Sequence, residues 1–158
     1  SKIDRANKVL AFGHMATQLK FVVIEGEGLS ADTKLMKIEL KNVEVPGGIN
    51  LVTNALTGTA KEALSVPDID GSLVIGTTEA GDAAGSPLMI VPPVGNTVTM
   101  KVTTSTAVFD NITATIDTDE NFVAGKAYTI ALTFNQQKVD LNATLADWSA
   151  GTGSGTVI

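Results

Sequence analysis

The sequence has no cysteine and only one histidine among its 158 residues. Without cysteine there is no disulfide framework, no thiolate nucleophile and no zinc site with Cys ligands. The lone histidine, His14, lacks an accompanying nucleophile motif, so we interpret it as a partly buried imidazole hydrogen-bonded to backbone or to a hydroxyl. We therefore predict no catalytic residue, and we do not expect the protein to be an enzyme.

Long apolar runs and an excess of positive charge are also missing. No run approaches the roughly 20 apolar residues that a membrane-spanning helix needs. The 17 Asp and Glu outnumber the 11 Lys and Arg, giving a net charge of −6, and phosphate groups would repel such a chain. We expect neither nucleic acid nor an anionic membrane surface as a partner. Since the chain starts at Ser1 without an initiator Met or a signal peptide, we expect a processed product or part of a longer precursor.

Aromatic residues are scarce, with one Trp, one Tyr and five Phe. A sugar-binding face would need exposed rings, because such sites combine apolar contact area with a few polar groups. The alternation pattern places Phe21, Tyr128 and Phe134 on the buried face of their strands. Trp148 falls off that pattern, so we predict that it either caps one end of the fold or binds a ligand.

Two acidic segments carry no convincing metal-binding pattern. The first is residues 68–71. Aligning Gly71 with the glycine of an EF-hand loop puts Val66 and Thr77 where the first and last carboxylate ligands belong. The second, residues 117–120, is interpreted as a solvated turn. The Gly-rich stretch 151–155 has no Lys and no following helix, which excludes a phosphate-binding loop. We predict no metal and no cofactor.

What the chain has in abundance is alternation of apolar and polar residues. Residues 128–134 are apolar at every second position, and residues 139–145 repeat the pattern after a polar turn. Because strand side chains point alternately to two faces, each segment has one apolar and one polar face. The pattern predicts an antiparallel hairpin that contributes to one core, with the core residues Phe21, Ile130, Leu132, Phe134, Leu141 and Leu145.

The rest of the chain predicts about ten short strands separated by turns. Residues 60–64 suit one or two helical turns, residues 73–75 suit a small strand, and residues 79–86 are interpreted as a loop. No segment has the length of an amphipathic helix. Short strands at regular spacing favour an antiparallel β-sandwich.

Two local irregularities are predicted within these strands. The alternation of the strand near residues 36–45 slips at Lys41 and Asn42, which indicates a bulge. The strand near residues 88–91 is followed by Pro92, which lacks the N–H that a ladder needs. That strand is therefore expected to be an edge strand or to end there.

Two segments of the chain resemble the fimbrillin-like family of Bacteroidetes surface proteins. The first, residues 9–21, contains a strand followed by Phe12, one intervening residue and His14. The second has Tyr128 and Phe134 in residues 125–134, followed by the closing strand and Trp148. Their order and spacing are similar to those of the family's C-terminal domain. The resemblance implies structural roles for the motif residues Phe12, His14, Tyr128 and Phe134.

The resemblance implies a fold and a location. Family members are exported lipoproteins held at the outer membrane, and they contain two transthyretin-like β-sandwich domains. We therefore expect an all-β antiparallel sandwich, transthyretin-like or Greek-key in type, with little or no helix. Residues 1–149 are expected to form one such domain of a longer precursor. Residues 150–158 are expected to form a Gly-rich tail with a short terminal strand.

The resemblance also implies a function, namely a structural or adhesive subunit, or a tip or accessory component, of a cell-surface fimbria. Expected partners are other fimbrial subunits, the precursor's N-terminal domain, and surface glycans or proteins. Membrane attachment is expected only through an upstream lipid anchor. The alternative is a carbohydrate-binding β-sandwich module of an outer-membrane or secreted protein. A glycosidase accessory domain and a scaffold without a pilus role also stay open.

Overall fold

The computed structural model describes residues 14–116, 120–136 and 138–146. Phe12, Trp148, the first predicted strand, most of the acidic segment 117–120 and the Gly-rich tail lie outside these residues. Within them the chain forms nine β-strands and no helix: β1 (Thr17–Glu25), β2 (Leu35–Asn50), β3 (Ala55–Ser65), β4 (Asp82–Ala83), β5 (Leu88–Ile90), β6 (Thr97–Thr104), β7 (Val108–Thr115), β8 (Ala127–Phe134) and β9 (Val139–Ala146).

The strands form two sheets, which confirms the predicted all-β sandwich. One sheet has the order β4-β1-β8-β9, with β5 also paired to β1, and the other has the order β3-β2-β6-β7. The predicted closing hairpin is β8–β9, paired from Ala127↔Ala146 to Phe134↔Val139. β1 and β8 run parallel along their length, whereas every other strand pair is antiparallel. The sequence pattern predicted an antiparallel fold and missed this one parallel pair.

A single apolar core fills the space between the sheets. Of the predicted core residues, Phe21, Ile130, Leu132 and Phe134 are buried, and Leu141 is partly buried against the same cluster. The ring of Phe134 meets that of Phe109 from the opposite sheet edge-on, with centroids 5.9 Å apart. Full burial of such a side chain contributes about 1.5–3 kcal/mol. Other fully buried members include Leu19, Leu35, Ile38, Leu40, Ile90, Met100 and Val102.

Leu145 is the predicted core residue that the structure contradicts, because 48% of it is exposed. It lies near the end of β9, the edge strand of its sheet. Leu145 lies on the apolar face of β9, but an edge strand is covered from fewer sides than a central strand. Alternation therefore predicted the face correctly and the burial wrongly.

Three segments differ from their predicted structure. Residues 60–64 are not helical but belong to β3, which pairs with β2 from Glu39↔Ser65 to Asn50↔Ala55. Long-range pairing outweighs the weak local helix preference there. The predicted loop at 79–86 contains β4, which pairs with β1. A strand predicted at 73–75 is reduced to one bridge, Lys34↔Val74.

The parity slip appears where the sequence placed it, but the predicted bulge at Lys41 and Asn42 does not. Leu40 and Val43 are both buried although they differ in parity, and the backbone between them turns at Asn42, whose φ is 51°. The register of β2 against β3 is the same on both sides of Asn42 and shifts further on, between Pro46 and Gly48. β5 pairs only with β1 among the described strands and ends before Pro92, as expected for an edge strand.

Candidate functional site

Tyr128, one of the family-motif residues, holds one end of the sandwich together. Its side chain is buried, and its ring meets Phe122 edge-on at 4.8 Å between centroids. Val123 donates its backbone N–H to the Tyr128 Oη at 3.1 Å, and the hydroxyl of Thr17 donates to the Val123 carbonyl at 2.8 Å. These bonds tie the loop before β8 to β1, so the geometry gives Tyr128 a packing role.

Phe134 connects the other end of β8 to the turn that follows β1. Its side chain is fully buried, and its carbonyl accepts a hydrogen bond from the Gly26 N–H at 2.8 Å. The next residue, Asn135, accepts a hydrogen bond from the Glu27 N–H through its Oδ1 at 2.9 Å. The end of β8 thus fixes the turn that follows β1.

His14 is exposed, so the expectation of a partly buried imidazole is wrong. Its backbone lies against Gly125, where an added Cβ would come within 2.9 Å of the His14 carbonyl oxygen. Gly125 also has φ of 76°, a conformation that favours glycine. Phe12 and Trp148, the other predicted site residues, lie outside the described residues.

The carboxylates of the acidic loop around residues 68–72 accept hydrogen bonds from serine side chains of the protein. The Asp70 carboxylate accepts bonds from the Ser72 N–H at 2.8 Å and the Ser72 hydroxyl at 2.6 Å. These bonds hold the pKa of Asp70 below its usual value. The Ser86 hydroxyl donates to Asp68 in the same loop. Across the described part of the chain, no three His, Asp or Glu side chains converge as metal ligands would.

Several exposed apolar side chains lie on a hairpin that projects from the sandwich. We call residues 44–60 the arm: they comprise the outer halves of β2 and β3 and the turn between them. Most of their side chains are exposed, whereas the first half of β2 alternates between buried and exposed positions. At about 3.3 Å per residue, the arm extends roughly 20 Å from its base.

The tip of the arm is apolar, and hydrogen bonds within the turn define its conformation. Leu51 is 90% exposed, Val52 is 94% exposed and Ile49 is 51% exposed. The Oδ1 of Asn50 accepts bonds from the N–H groups of Val52 and Thr53, at 2.9 and 3.2 Å. The turn therefore presents Leu51 and Val52 to solvent in a defined conformation. Sequence reasoning missed the arm, although the chain has no charged residue from 45 to 60.

A groove opens at the base of the arm, where the sheet splits. The β2–β6 ladder ends at Leu40↔Met100, whereas the β6–β7 ladder continues to Thr97↔Thr115. The gap between β2 and the first residues of β6 has a volume of about 480 Å³, which is within the range of small-ligand sites. Its apolar lining consists of Val43, Val91, Pro92, Pro93, Val94 and Val98.

Two charged residues, Lys41 and Glu44, also line the groove. Lys41, which also lines it, pairs with Asp110 at 2.5 Å and donates to the Oδ1 of Asn111 at 2.8 Å. The Lys41 ammonium holds the pKa of Asp110 below its usual value. At the opposite wall the Val91 N–H donates to the Glu44 carbonyl at 2.8 Å, linking the 91–94 segment to the arm. The lining of the groove is therefore mixed, because the apolar residues lie beside Lys41, Asn42, Glu44, Thr97 and Thr99.

The described residues contain no helix with the length and apolarity required to cross a membrane.

A family model described as fimbrillin-like matches residues 1–148. None of the curated proteins matches the chain.

Solved structures that are similar to the chain include the following three. A candidate cell adhesion protein from Bacteroides uniformis has a TM-score of 0.59 and 16% identity, over 87% of this chain and 52% of that one. A candidate cell adhesion protein from Bacteroides ovatus has a TM-score of 0.49 and 16% identity, over 89% and 47%. The tip fimbrial protein Mfa3 from Porphyromonas gingivalis has a TM-score of 0.49 and 14% identity, over 86% and 52%. The chain thus spans about half the length of these proteins.

Proposed function

Because the chain belongs to the fimbrillin-like family, we propose that it is a structural and adhesive part of a cell-surface fimbria, as a subunit or as a tip or accessory component. The observation that carries the proposal is the family match, which covers residues 1–148. The proposal gives no residue a catalytic role and calls for no metal or cofactor. It places the protein at the cell surface after export, with an outer-membrane lipid anchor upstream of this chain.

The proposal treats the chain as one domain of a longer subunit. Residues 1–149 form the β-sandwich domain, and residues 150–158 form its tail. The support is the coverage of the matched structures, since the chain corresponds to 52% of the Bacteroides uniformis protein. The proposed partners are the other domain of the same subunit and neighbouring fimbrial subunits.

Assembly through strands and domain contacts suits the described architecture. β3 and β7 are the outer strands of one sheet, and β9 is an outer strand of the other. An outer strand presents backbone N–H and C=O groups that can pair with an extended segment of a neighbour. The proposed role therefore needs no chemistry beyond packing and backbone pairing.

Location is the direct test of the proposed role. Antibodies raised against residues 1–158 would be used for immunogold labelling of intact cells, with a strain lacking the gene as the control. We expect label on surface filaments and recovery of the protein with filaments sheared from the cells. Label only at filament ends would indicate a tip role. Protein confined to the periplasm of cells with normal filaments would contradict the proposal.

Strand pairing between subunits has its own test. Peptides that correspond to terminal segments of co-encoded subunits would be mixed with the chain, and thermal unfolding would be followed. A cognate strand should raise the unfolding temperature, because a ligand that binds only the folded state stabilises it. Scrambled peptides of the same composition are the control. An absence of any shift with all cognate segments would count against a polymerising role and leave assembly to domain contacts.

The carbohydrate-binding alternative gains no support from the described aromatic residues. Phe21, Phe122, Tyr128 and Phe134 are buried, and Phe109 is partly buried, so these residues form no exposed platform for a sugar ring. The alternative then depends on Trp148. Glycan binding that is lost in Trp148→Ala would favour it.

A further inference from the structure

The described part of the chain begins near one wall of the groove. Thr17, at the start of β1, pairs with Ile90, at the end of β5, and the groove wall formed by residues 91–94 follows Ile90 directly. His14 precedes Thr17 by three residues. At about 3.3 Å per residue and 4.8 Å between strands, His14 lies within roughly 15 Å of Ile90. Residues 1–13 therefore join the described fold within reach of the groove.

The sequence of residues 1–13 complements the groove in polarity and in charge. Residues 9–12 are apolar throughout, like the wall at residues 91–94. Before them, Lys2, Arg5 and Lys8 stand against Asp4 alone, so that residues 1–13 contribute +2 and residues 14–158 contribute −8 to the net charge of −6. Opposite charges attract, which favours contact between this segment and the rest of its own chain.

The groove offers both apolar surface and backbone groups to an extended segment. Val43 and Val98 in its lining are buried, whereas Val94 is fully exposed. Past the Leu40↔Met100 pair, β2 and β6 no longer pair with each other. The strand edges that face the groove therefore carry N–H and C=O groups that an extended segment can bond. A segment seated there would also remove Val94 from water.

We propose that residues 9–12 seat in the groove of their own chain as an extended segment. The basic residues before them then lie against the acidic remainder of the chain. Because the segment is covalently attached through His14, its effective concentration at the groove is high. Separate copies of the chain would instead repel each other. With the segment seated, the groove is closed to other ligands, and this inference does not depend on the proposed fimbrial role.

The absence of cysteine in the sequence allows a test by disulfide trapping in the full chain. The double variant Leu10→Cys/Val94→Cys should form a disulfide within one chain, because a disulfide needs Cα atoms within about 7 Å of each other. The matched control is Leu10→Cys/Val123→Cys. Val123 is also an exposed valine (50%), and its carbonyl accepts a hydrogen bond from Thr17, so it lies near the same end of β1 but outside the groove.

The rate of closure in dilute protein, followed by mass spectrometry and non-reducing gels, decides between the occupants of the groove. The Val94 pair should close at least about tenfold faster than the Val123 pair. Equal rates would overturn the proposal, because the segment would then be near the groove only through its attachment. Disulfides that form only between chains, at a rate that rises with concentration, would also overturn it, since a second copy would then supply the segment.

A second test uses NMR on a variant that should release the segment. Leu10→Asp would place a charge in an apolar contact, so the amide resonances of Val91, Val94 and Val98 should shift. Leu51→Asp is the control, because Leu51 is 90% exposed at the tip of the arm, and it should leave these resonances in place. Groove resonances that are unchanged in Leu10→Asp would overturn the proposal. The disulfide test is independent of whether this variant folds.

Discussion

β8 and the arm are both built from extended chain, yet they use it in opposite ways. Along β8, Tyr128, Ile130, Leu132 and Phe134 are buried by the opposing sheet. Along the arm, Ile49, Leu51 and Val52 stay in solvent, although β2 and β3 pair as far as Asn50↔Ala55, apart from the register shift between Pro46 and Gly48. Backbone pairing therefore does not by itself bury side chains. Burial requires a second layer of structure, and the arm extends beyond the sheet that would cover it.

The largest expected effect tests this difference with the same substitution in both regions. Leu132→Ala removes a fully buried side chain and should lower the free energy of unfolding by about 2–5 kcal/mol. Leu51→Ala at the tip should change it by less than about 0.5 kcal/mol. Urea denaturation of each variant measures both. Equal losses of unfolding free energy would mean that β8 and the arm do not differ in burial.

The junction between the two regions should respond less strongly. Asn42 has φ of 51°, a left-handed conformation that costs a branched side chain roughly 1–2 kcal/mol. Asn42→Val should therefore destabilise the protein by about that amount. Asn42→Gly is the control and should be close to neutral, since glycine adopts this conformation freely. If valine were tolerated as well as glycine, the turn at Asn42 would not be what redirects β2.

Within the body, a single hydrogen bond can be removed without changing the packing of a ring. Tyr128→Phe keeps the contact with Phe122 and leaves the Val123 N–H without its acceptor. The expected loss is about 1 kcal/mol. Faster hydrogen exchange at the Val123 amide, measured by NMR, would locate the effect in this bond. Unchanged exchange would mean that the hydroxyl is not the acceptor in solution.

The smallest expected effect concerns the ion pair beside the groove. The pKa of Asp110 in the folded protein is lowered from 3.8 by Lys41. A carboxyl group whose folded pKa is below its unfolded pKa stabilises the fold above the unfolded value, and loses this contribution as pH falls through the folded value. In Asp110→Asn, the unfolding temperature should thus decrease less than in the parent protein as the pH drops below about 4. The pair is exposed to solvent, so the effect is small.

The cause of that shift can be checked independently. Lys41→Met removes the ammonium and should reduce the same acid-dependent loss, while the double variant should add little to either single change. Fully additive effects would show that the two side chains do not interact in solution.

The parts of the fold that the sequence predicted are those where local chemistry is decisive. The β8–β9 hairpin follows from two alternating segments around a polar turn, and the end of β5 follows from Pro92. The slip near Asn42 was visible because Leu40 and Val43 are apolar on different parities. Each prediction needed only neighbouring residues, which the printed sequence contains.

The candidate site was not predictable in the same way. The groove forms because β2 separates from β6 after Leu40↔Met100, and its remaining wall comes from residues 91–94, far along the chain. The strand pairing at residues 60–64 was missed because a partner in β2 overrides a weak helical preference. The lack of charge in residues 45–60 was visible, but without a fold it had no meaning as a surface.

The sequence by itself determined the class of the protein, since period-two alternation leaves each segment with one face that must be covered. It also determined where strands bend or end, because positive φ and the missing proline N–H are properties of single residues. Only the tertiary structure decided that β1 and β8 pair in parallel, that Leu145 stays half exposed, and that the arm projects. These depend on which distant segments meet, and an alternating pattern reports that a face is apolar without reporting what covers it.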